Sequence, residues 1–255
     1  MTVSKLRNPI VLVHGLLGYD EVRVAGRTVV QYFRGIATHL RASGNRVMAP
    51  QLSMTRGVAE RAEELKQFLK REFPAEPVHL IAHSMGGLDS RHMIARLGMA
   101  HRVLSLTSVG TPHRGSPFAD WGLKRLEFWL QPWFKTFAIP EQAFRDLTTA
   151  ACARFNEQTP DSPHIRYFSI AGQCDRLWCR PIWWPAFAIV DRAEGANDGV
   201  VSVKSATHGE LLGIWPGDHL NLINFPNPYE RLRGTWRNRL ADYSEIVQRL
   251  ALEGF

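Results

Sequence analysis

The residues with the clearest chemical potential lie in Leu80-Ile81-Ala82-His83-Ser84-Met85-Gly86-Gly87-Leu88, an apolar run that meets a serine, then small residues, then a helical pattern. This is the pattern of a sharp strand-to-helix turn that lifts a serine hydroxyl above a sheet edge. Side chains two positions either side of the serine crowd together in such a turn, and Ala82 and Gly86 are both small. Glycine is usual at the first of these positions, so Ala82 adds one methyl group that the turn must tolerate. The five-residue motif alone arises by chance, and the strand before it and helix after it give it weight.

A serine hydroxyl at its ordinary pKa is a weak nucleophile. It needs a histidine to take its proton and a carboxylate to fix the tautomer of that ring. On this type of turn the chain order is serine, acid, histidine. Three histidines lie late enough: His164, His208 and His219. His164 precedes a strand pattern and leaves little fold behind it. His208 remains an alternative. His219, in Pro216-Gly217-Asp218-His219-Leu220, occupies a Pro/Gly loop before the last helix and is the preferred base. Asn197-Asp198-Gly199-Val200-Val201 offers Asp198 as the acid in an Asx-Gly turn, with Asp175 and Asp191 as alternatives. Two backbone N–H groups must meet the oxyanion of a tetrahedral intermediate. Met85 follows the serine and supplies one; Leu16, in His14-Gly15-Leu16-Leu17-Gly18 after the first apolar run, supplies the other, with His14 structural.

These loops need a sheet to position them. Ile10–Val13, Arg46–Ala49, Val78–Ala82, Val103–Leu106 and Arg166–Ile170 are short apolar runs of the kind buried on both faces of a parallel sheet. Between them Val29, Val30, Phe33, Ile36, Ala37 and Leu40, then Val58, Ala62, Leu65 and Leu69, then Leu88, Ile94 and Leu97, recur at helical spacing. Alternation of strand and helix predicts a doubly wound α/β fold with right-handed crossovers. The rhythm breaks between Ser116 and Ala150, where Trp121, Phe128, Trp129, Trp133, Phe134 and Phe137 mark an aromatic insertion. Trp178, Trp183 and Trp184 form a second cluster, and a helix with Arg231, Arg233, Arg237 and Arg239 on a solvated face is expected over 229–252.

The formal charge of +7 on 255 residues is too mild to require a polyanionic partner, and no nucleic-acid motif occurs. Cys152, Cys174 and Cys179 allow at most one bridge and lack zinc spacing. No run reaches the ~18 apolar residues of a membrane span, and Met1–Asn8 has no apolar signal core. The expected location is therefore cytoplasmic, or secreted if a leader is removed. Oligomeric state is not readable from the chain.

Taken together, His14–Gly18, Ala82–Gly87, Ser108-Val109-Gly110-Thr111-Pro112-His113-Arg114-Gly115-Ser116, Asn197–Val201 and Asp218–Leu220 resemble, in order and over roughly residues 9–225, the bacterial triacylglycerol lipases of Pseudomonas and Burkholderia. The resemblance implies an α/β-hydrolase fold over 1–255, with Ser84, Asp198 and His219 as catalytic residues and Leu16 and Met85 as oxyanion donors. It also implies that the insertion at approximately 116–150 is a lid or cap. The expected activity is hydrolysis of medium- and long-chain esters, acylglycerols among them, at a lipid–water interface and without a required cofactor. A short-chain esterase, a polyester hydrolase or an acyltransferase would use the same residues, and a non-catalytic lipid-binding scaffold would use none of them. The family also holds a structural calcium, partly through an aspartate two residues past the catalytic histidine. Here that position is Asn221, which argues against the ion, although Asp175 stands where another ligand is expected.

Overall fold

A computed structural model describes residues 4–16, 21–24, 27–125, 141–177 and 179–255, with the backbone alone for 21–30. The strands are β1 (Ile10–Val13), β2 (Glu21–Val24), β3 (Arg27–Gln31), β4 (Val47–Met48), β5 (Val78–His83), β6 (Val103–Val109), β7 (Arg166–Gln173) and β8 (Glu210–Pro216). The helices are α1 (Ile36–Ala42), α2 (Val58–Glu72), α3 (Gly86–Arg96), α4 (Pro117–Arg125), α5 (Glu141–Asp146), α6 (Thr149–Gln158), α7 (Trp184–Glu194), α8 (Val203–Ala206), α9 (Pro228–Leu232) and α10 (Leu240–Leu252). Six strands form one sheet in the order β4-β1-β5-β6-β7-β8, and every pairing in it is parallel.

Period-two alternation in β1 explains why both faces are covered. Ile10 and Leu12 join a core with Ile36 and Leu40 of α1 and with Tyr243 and Val247 of α10. Val11 and Val13 point the other way, into a core with Leu65 and Leu69 of α2 and Met93 of α3. This is the doubly wound α/β architecture expected from the chain. Among the described residues, no helix is long and apolar enough to cross a membrane.

Three local expectations are corrected. The helical spacing that begins at Val29 is interrupted: residues 27–31 form a strand paired antiparallel with β2, and α1 starts only after Gly35, whose φ of 72° breaks the chain direction. The sheet has a sixth strand, β8, whose residues are exposed or half-buried and so lack the continuous apolar run that marks the others. The C-terminal helix is two helices, separated by a turn with Gly234 at φ 69°. Of the four arginines assigned to a solvated face, Arg239 is buried, with its guanidinium on Asp242 and over the Trp215 ring.

Burial leaves several histidines uncharged. His14 and His79 are pushed down to about 4, chiefly by loss of solvent, while His83 and His113 fall well below the ordinary value for the same reason. A ring held neutral in the fold takes up a proton near pH 6.5 once unfolded. For His14 and His79 this stability is complete above about 6.5 and is lost as pH falls toward about 4, on the order of 3 kcal/mol for each of the two rings. Urea titrations should show unfolding free energy falling steeply across that window. His79→Gln should lower the neutral-pH plateau and flatten the slope by one proton; an unchanged slope would mean that His79 is not held neutral.

Candidate active site

The serine turn is built as its sequence requires. Ser84 has φ 55°, in the left-handed region that a side chain rarely adopts, between the end of β5 and Met85 at the head of α3. Its N–H donates to Val109 O at 3.0 Å, fastening the turn to β6. A Cβ on Gly86 would lie 2.7 Å from Val13 O and 2.8 Å from His14 O, so only glycine fits against the end of β1 there. Ala82, by contrast, lies in the core with Val11 and Val13, and its extra methyl is absorbed there.

The structure brings Ser84, Asp198 and His219 together. His219 Nε2 lies 2.9 Å from Ser84 Oγ, and Nδ1 lies 2.6 Å from Asp198 Oδ2. A carboxylate accepts, so Nδ1 carries the proton and donates to Asp198, which leaves Nε2 bare to accept from the serine hydroxyl. The other oxygen, Asp198 Oδ1, accepts from the N–H groups of Val200 (3.1 Å) and Val201 (2.8 Å), and the His219 N–H donates to Asp198 O at 2.8 Å. Asp198 is fully buried and His219 nearly so, while Ser84 is half-buried. The chain can therefore move a proton from Ser84 Oγ to an imidazole whose opposite face is held by a fixed negative charge.

Leu16 and Met85 also converge. Met85 and Leu88 share a small apolar cluster on which the Leu16 side chain packs. A Cβ on Gly15 would stand 2.7 Å from Ser84 Cβ, so the backbone of this loop runs directly against the serine. His14 is structural: its Nε2 accepts from the Leu52 N–H at 3.0 Å, which leaves Nδ1 to donate to Gly15 O at 2.9 Å. Leu17 and Gly18 lie outside the described residues.

Sequence reasoning missed the cations that hold these loops. Arg61, fully buried, donates from Nε to Asp89 Oδ2 at 2.8 Å and from Nη2 to His14 O at 2.7 Å. Burial pushes Asp89 up to about 7, opposed by that guanidinium. Arg180 donates to both oxygens of Asp218, from Nη1 and from its backbone N–H, and from Nη2 to Phe225 O at 2.9 Å. Neither arginine lies in a motif; the only available signal was Asp218 beside His219. The alternatives lie elsewhere. His208 pairs with Asp161 at 2.9 Å and stacks on His113, while His164, Asp175 and Asp191 are exposed. Cys174 and Cys179 are buried with Sγ atoms 2.6 Å apart, beside the Asp198 turn, and Cys152 is buried away from them.

The surroundings of Asn221 do not fit calcium. Asn221 Oδ1 accepts from the Asp218 N–H at 3.0 Å, its Nδ2 donates to Phe225 O at 2.9 Å, and the Asp218 carboxylate is saturated by Arg180, Leu220, Asn221 and Asn227 donors. Among the described residues, no three His, Cys, Asp or Glu side chains gather as metal ligands. A guanidinium supplies the positive charge instead. Arg180→Ala should therefore cost on the order of 3–5 kcal/mol in urea unfolding, because it strands a buried carboxylate. A chelator should leave the melting temperature of the parent protein unchanged; a fall reversed by added calcium would refute this assignment.

The described ends of the aromatic insertion are joined to each other, and one of them is tied to the start of α2. Asp120 of α4 accepts from the Thr149 N–H (2.9 Å) and from its hydroxyl (2.8 Å), the Phe118 ring stacks on Trp121 and meets Phe144 edge-on, and Asp146 accepts from the Val58 N–H. Phe128, Trp129, Trp133, Phe134, Phe137 and also Trp178 lie outside the described residues.

Comparison with known proteins bears on the fold and the family. The alpha/beta hydrolase fold family matches residues 8–166. A triacylglycerol lipase of Pseudomonas fragi is 30% identical, with 97% of each chain covered, and triacylglycerol lipase 2 of Saccharomyces cerevisiae is 29% identical over 98% of this chain and 93% of its own. Among solved structures, a metagenomic carboxyl esterase superposes with a TM-score of 0.75 (20% identity, 97% of this chain, 76% of that one), and Staphylococcus hyicus lipase with 0.70 (16% identity, 95% and 96%), likenesses that concern the fold. The chain belongs to the bacterial-type triacylglycerol lipase family of the α/β-hydrolase superfamily.

Proposed function

We propose that this protein is a serine ester hydrolase that cleaves acylglycerols and other medium- and long-chain esters through an acyl-enzyme on Ser84. One observation carries the reading: the unbroken hydrogen-bonded line from Asp198 Oδ2 through the His219 ring to Ser84 Oγ. Ser84 Oγ attacks the ester carbonyl as its proton passes to His219 Nε2, and Asp198 balances the imidazolium that results. The N–H groups of Leu16 and Met85 receive the oxyanion. Collapse of the intermediate expels the alcohol, which takes the proton from Nε2. Water then gives a proton to the same nitrogen as it attacks the acyl-enzyme, and collapse of the second intermediate releases the acid as Ser84 Oγ takes that proton back. His219 moves every proton in this cycle, so the proposal calls for no cofactor.

The acylglycerol substrate rests on the names of the relatives above, which are triacylglycerol lipases. The lid assignment for 116–150 rests on its aromatic composition and on its place in the family resemblance. Its apolar side chains suit a lipid surface better than an aqueous one.

Hydrolysis rates against acyl length, from p-nitrophenyl acetate to long-chain esters and a triglyceride emulsion, test the reading with Ser84→Ala as the blank. Ser84→Ala should lower kcat on the order of 10⁶-fold, and His219→Ala comparably. Rates that rise with chain length and jump at the emulsion support a lipase with a lid. Activity confined to short soluble esters overturns the lid and substrate assignment, and retained turnover in Ser84→Ala overturns the mechanism.

A further inference from the structure

Three polar contacts link the loop that carries Leu16 to the loop that carries His219, and their directions are fixed by elimination. The His219 carbonyl can only accept, so His83 Nε2, 3.1 Å away, must hold a proton and donate to it. His83 is completely buried, and its ring centre lies 4.5 Å from that of His219. Burial and that neighbour hold His83 far below the ordinary histidine range, so the ring is neutral and Nδ1 is bare. Nδ1 therefore accepts from the Tyr32 hydroxyl at 2.7 Å, and the Tyr32 oxygen in turn accepts from the Gly15 N–H at 3.1 Å.

We infer that Tyr32 and His83 are positioning residues, joined in a one-directional hydrogen-bonded relay from Gly15 to His219 that sets the oxyanion loop and the general base at a fixed distance from each other. The inference rests on the roles proposed above for Ser84, His219, Leu16 and Met85. Both ends of the relay are backbone groups of the parts it positions: the carbonyl belongs to the base itself, and the N–H belongs to the residue preceding Leu16. The hydroxyl of Tyr32 is needed for its ability to donate and accept at once. A phenyl ring would keep the edge contacts with His83 and Phe33 but break the line at its centre. Gly15 is part of the same device, because a Cβ there would lie 2.9 Å from the Tyr32 oxygen as well as against Ser84. Chains of buried hydrogen bonds polarise one another, so a break in one is felt along the line.

The relay is distinguishable from ordinary core packing because misplacement of the base and of the oxyanion donors weakens transition-state binding more than substrate binding. The full chain is assayed on p-nitrophenyl butyrate and against a trifluoromethyl ketone, which adds to Ser84 Oγ as a hemiketal whose oxyanion needs the same donors. Tyr32→Phe, which removes both hydrogen bonds of the hydroxyl, should lower kcat about 10-fold, with KM within about two-fold. The inhibition constant of the ketone should rise by the same factor as kcat/KM falls. His83→Leu, which loses the direct bond to the His219 carbonyl as well as the one from Tyr32, should lose more, and His83→Gln, which can still offer an N–H to that carbonyl, should recover part of that loss. If Tyr32→Phe lowers only the melting temperature and leaves kcat and ketone affinity as in the parent, the relay is wrong and the hydroxyl is merely a satisfied core group. Should Tyr32→Phe fail to fold, the ordering of His83→Leu and His83→Gln decides, and equal activities overturn the relay. Ser84→Ala separates the two levels: full turnover there removes the hydrolase reading, whereas loss there with normal kinetics in Tyr32→Phe removes the relay alone.

Discussion

The left-handed backbone of Ser84, at φ 55°, is the constraint to which the surrounding residues answer. Such a conformation costs on the order of 1–3 kcal/mol for a residue with a side chain and survives only where neighbours over-determine it. Here they do so by proximity. Gly86 allows the head of α3 to rest on the carbonyls of Val13 and His14, Gly15 allows the first loop to touch Ser84, and the Ser84 N–H is tied to β6. β1 and β5 are adjacent in the sheet, with Val13 level with Ala82, so the same register that buries the core brings the loop of Leu16 and the turn of Met85 to one place.

Two guanidinium groups, Arg61 fully buried and Arg180 half-buried, play matching parts at the two ends of the site. Arg61 joins a carboxylate, Asp89, to the carbonyl of His14; Arg180 joins a carboxylate, Asp218, to the carbonyl of Phe225. Each holds one loop by a charge and a backbone group at once. Planar guanidinium geometry suits that double task, and lysine would not reproduce it. The cost of burying these charges is met locally by hydrogen bonds, though Asp89 Oδ1 finds no partner among the described residues and Asp89 is correspondingly pushed upward.

The parts of this architecture legible in the chain were those written in local chemistry. Ser84, with a strand before it and glycines after it, needed no partner to be recognised, and the Asp198 turn and the His219 loop followed from chain order. β8 was illegible because an edge strand with exposed Leu211 and Ile214 has no buried run to reveal it. The break at Gly35 was misread because Val29, Val30 and Phe33 fall at helical spacing while belonging to a strand and a turn. Arg61, Arg180, Tyr32 and His83 were missed for another reason: their significance lies in contacts between loops far apart in sequence, and no local pattern encodes those.

That separation bears on how the protein is born. Ser84 and His219 are 135 positions apart, and their contact closes across the same sheet whose outermost strand, β8, comes late in the chain. Synthesis runs at roughly 5–20 residues per second, so the serine leaves the ribosome about 7–27 s before its base. During that interval its hydroxyl is only a hydroxyl. Long-range closure is also the slow kind of folding step, so the Ser84–His219 contact forms only after β8 has been made, and a truncated product that stops short of β8 lacks His219 altogether.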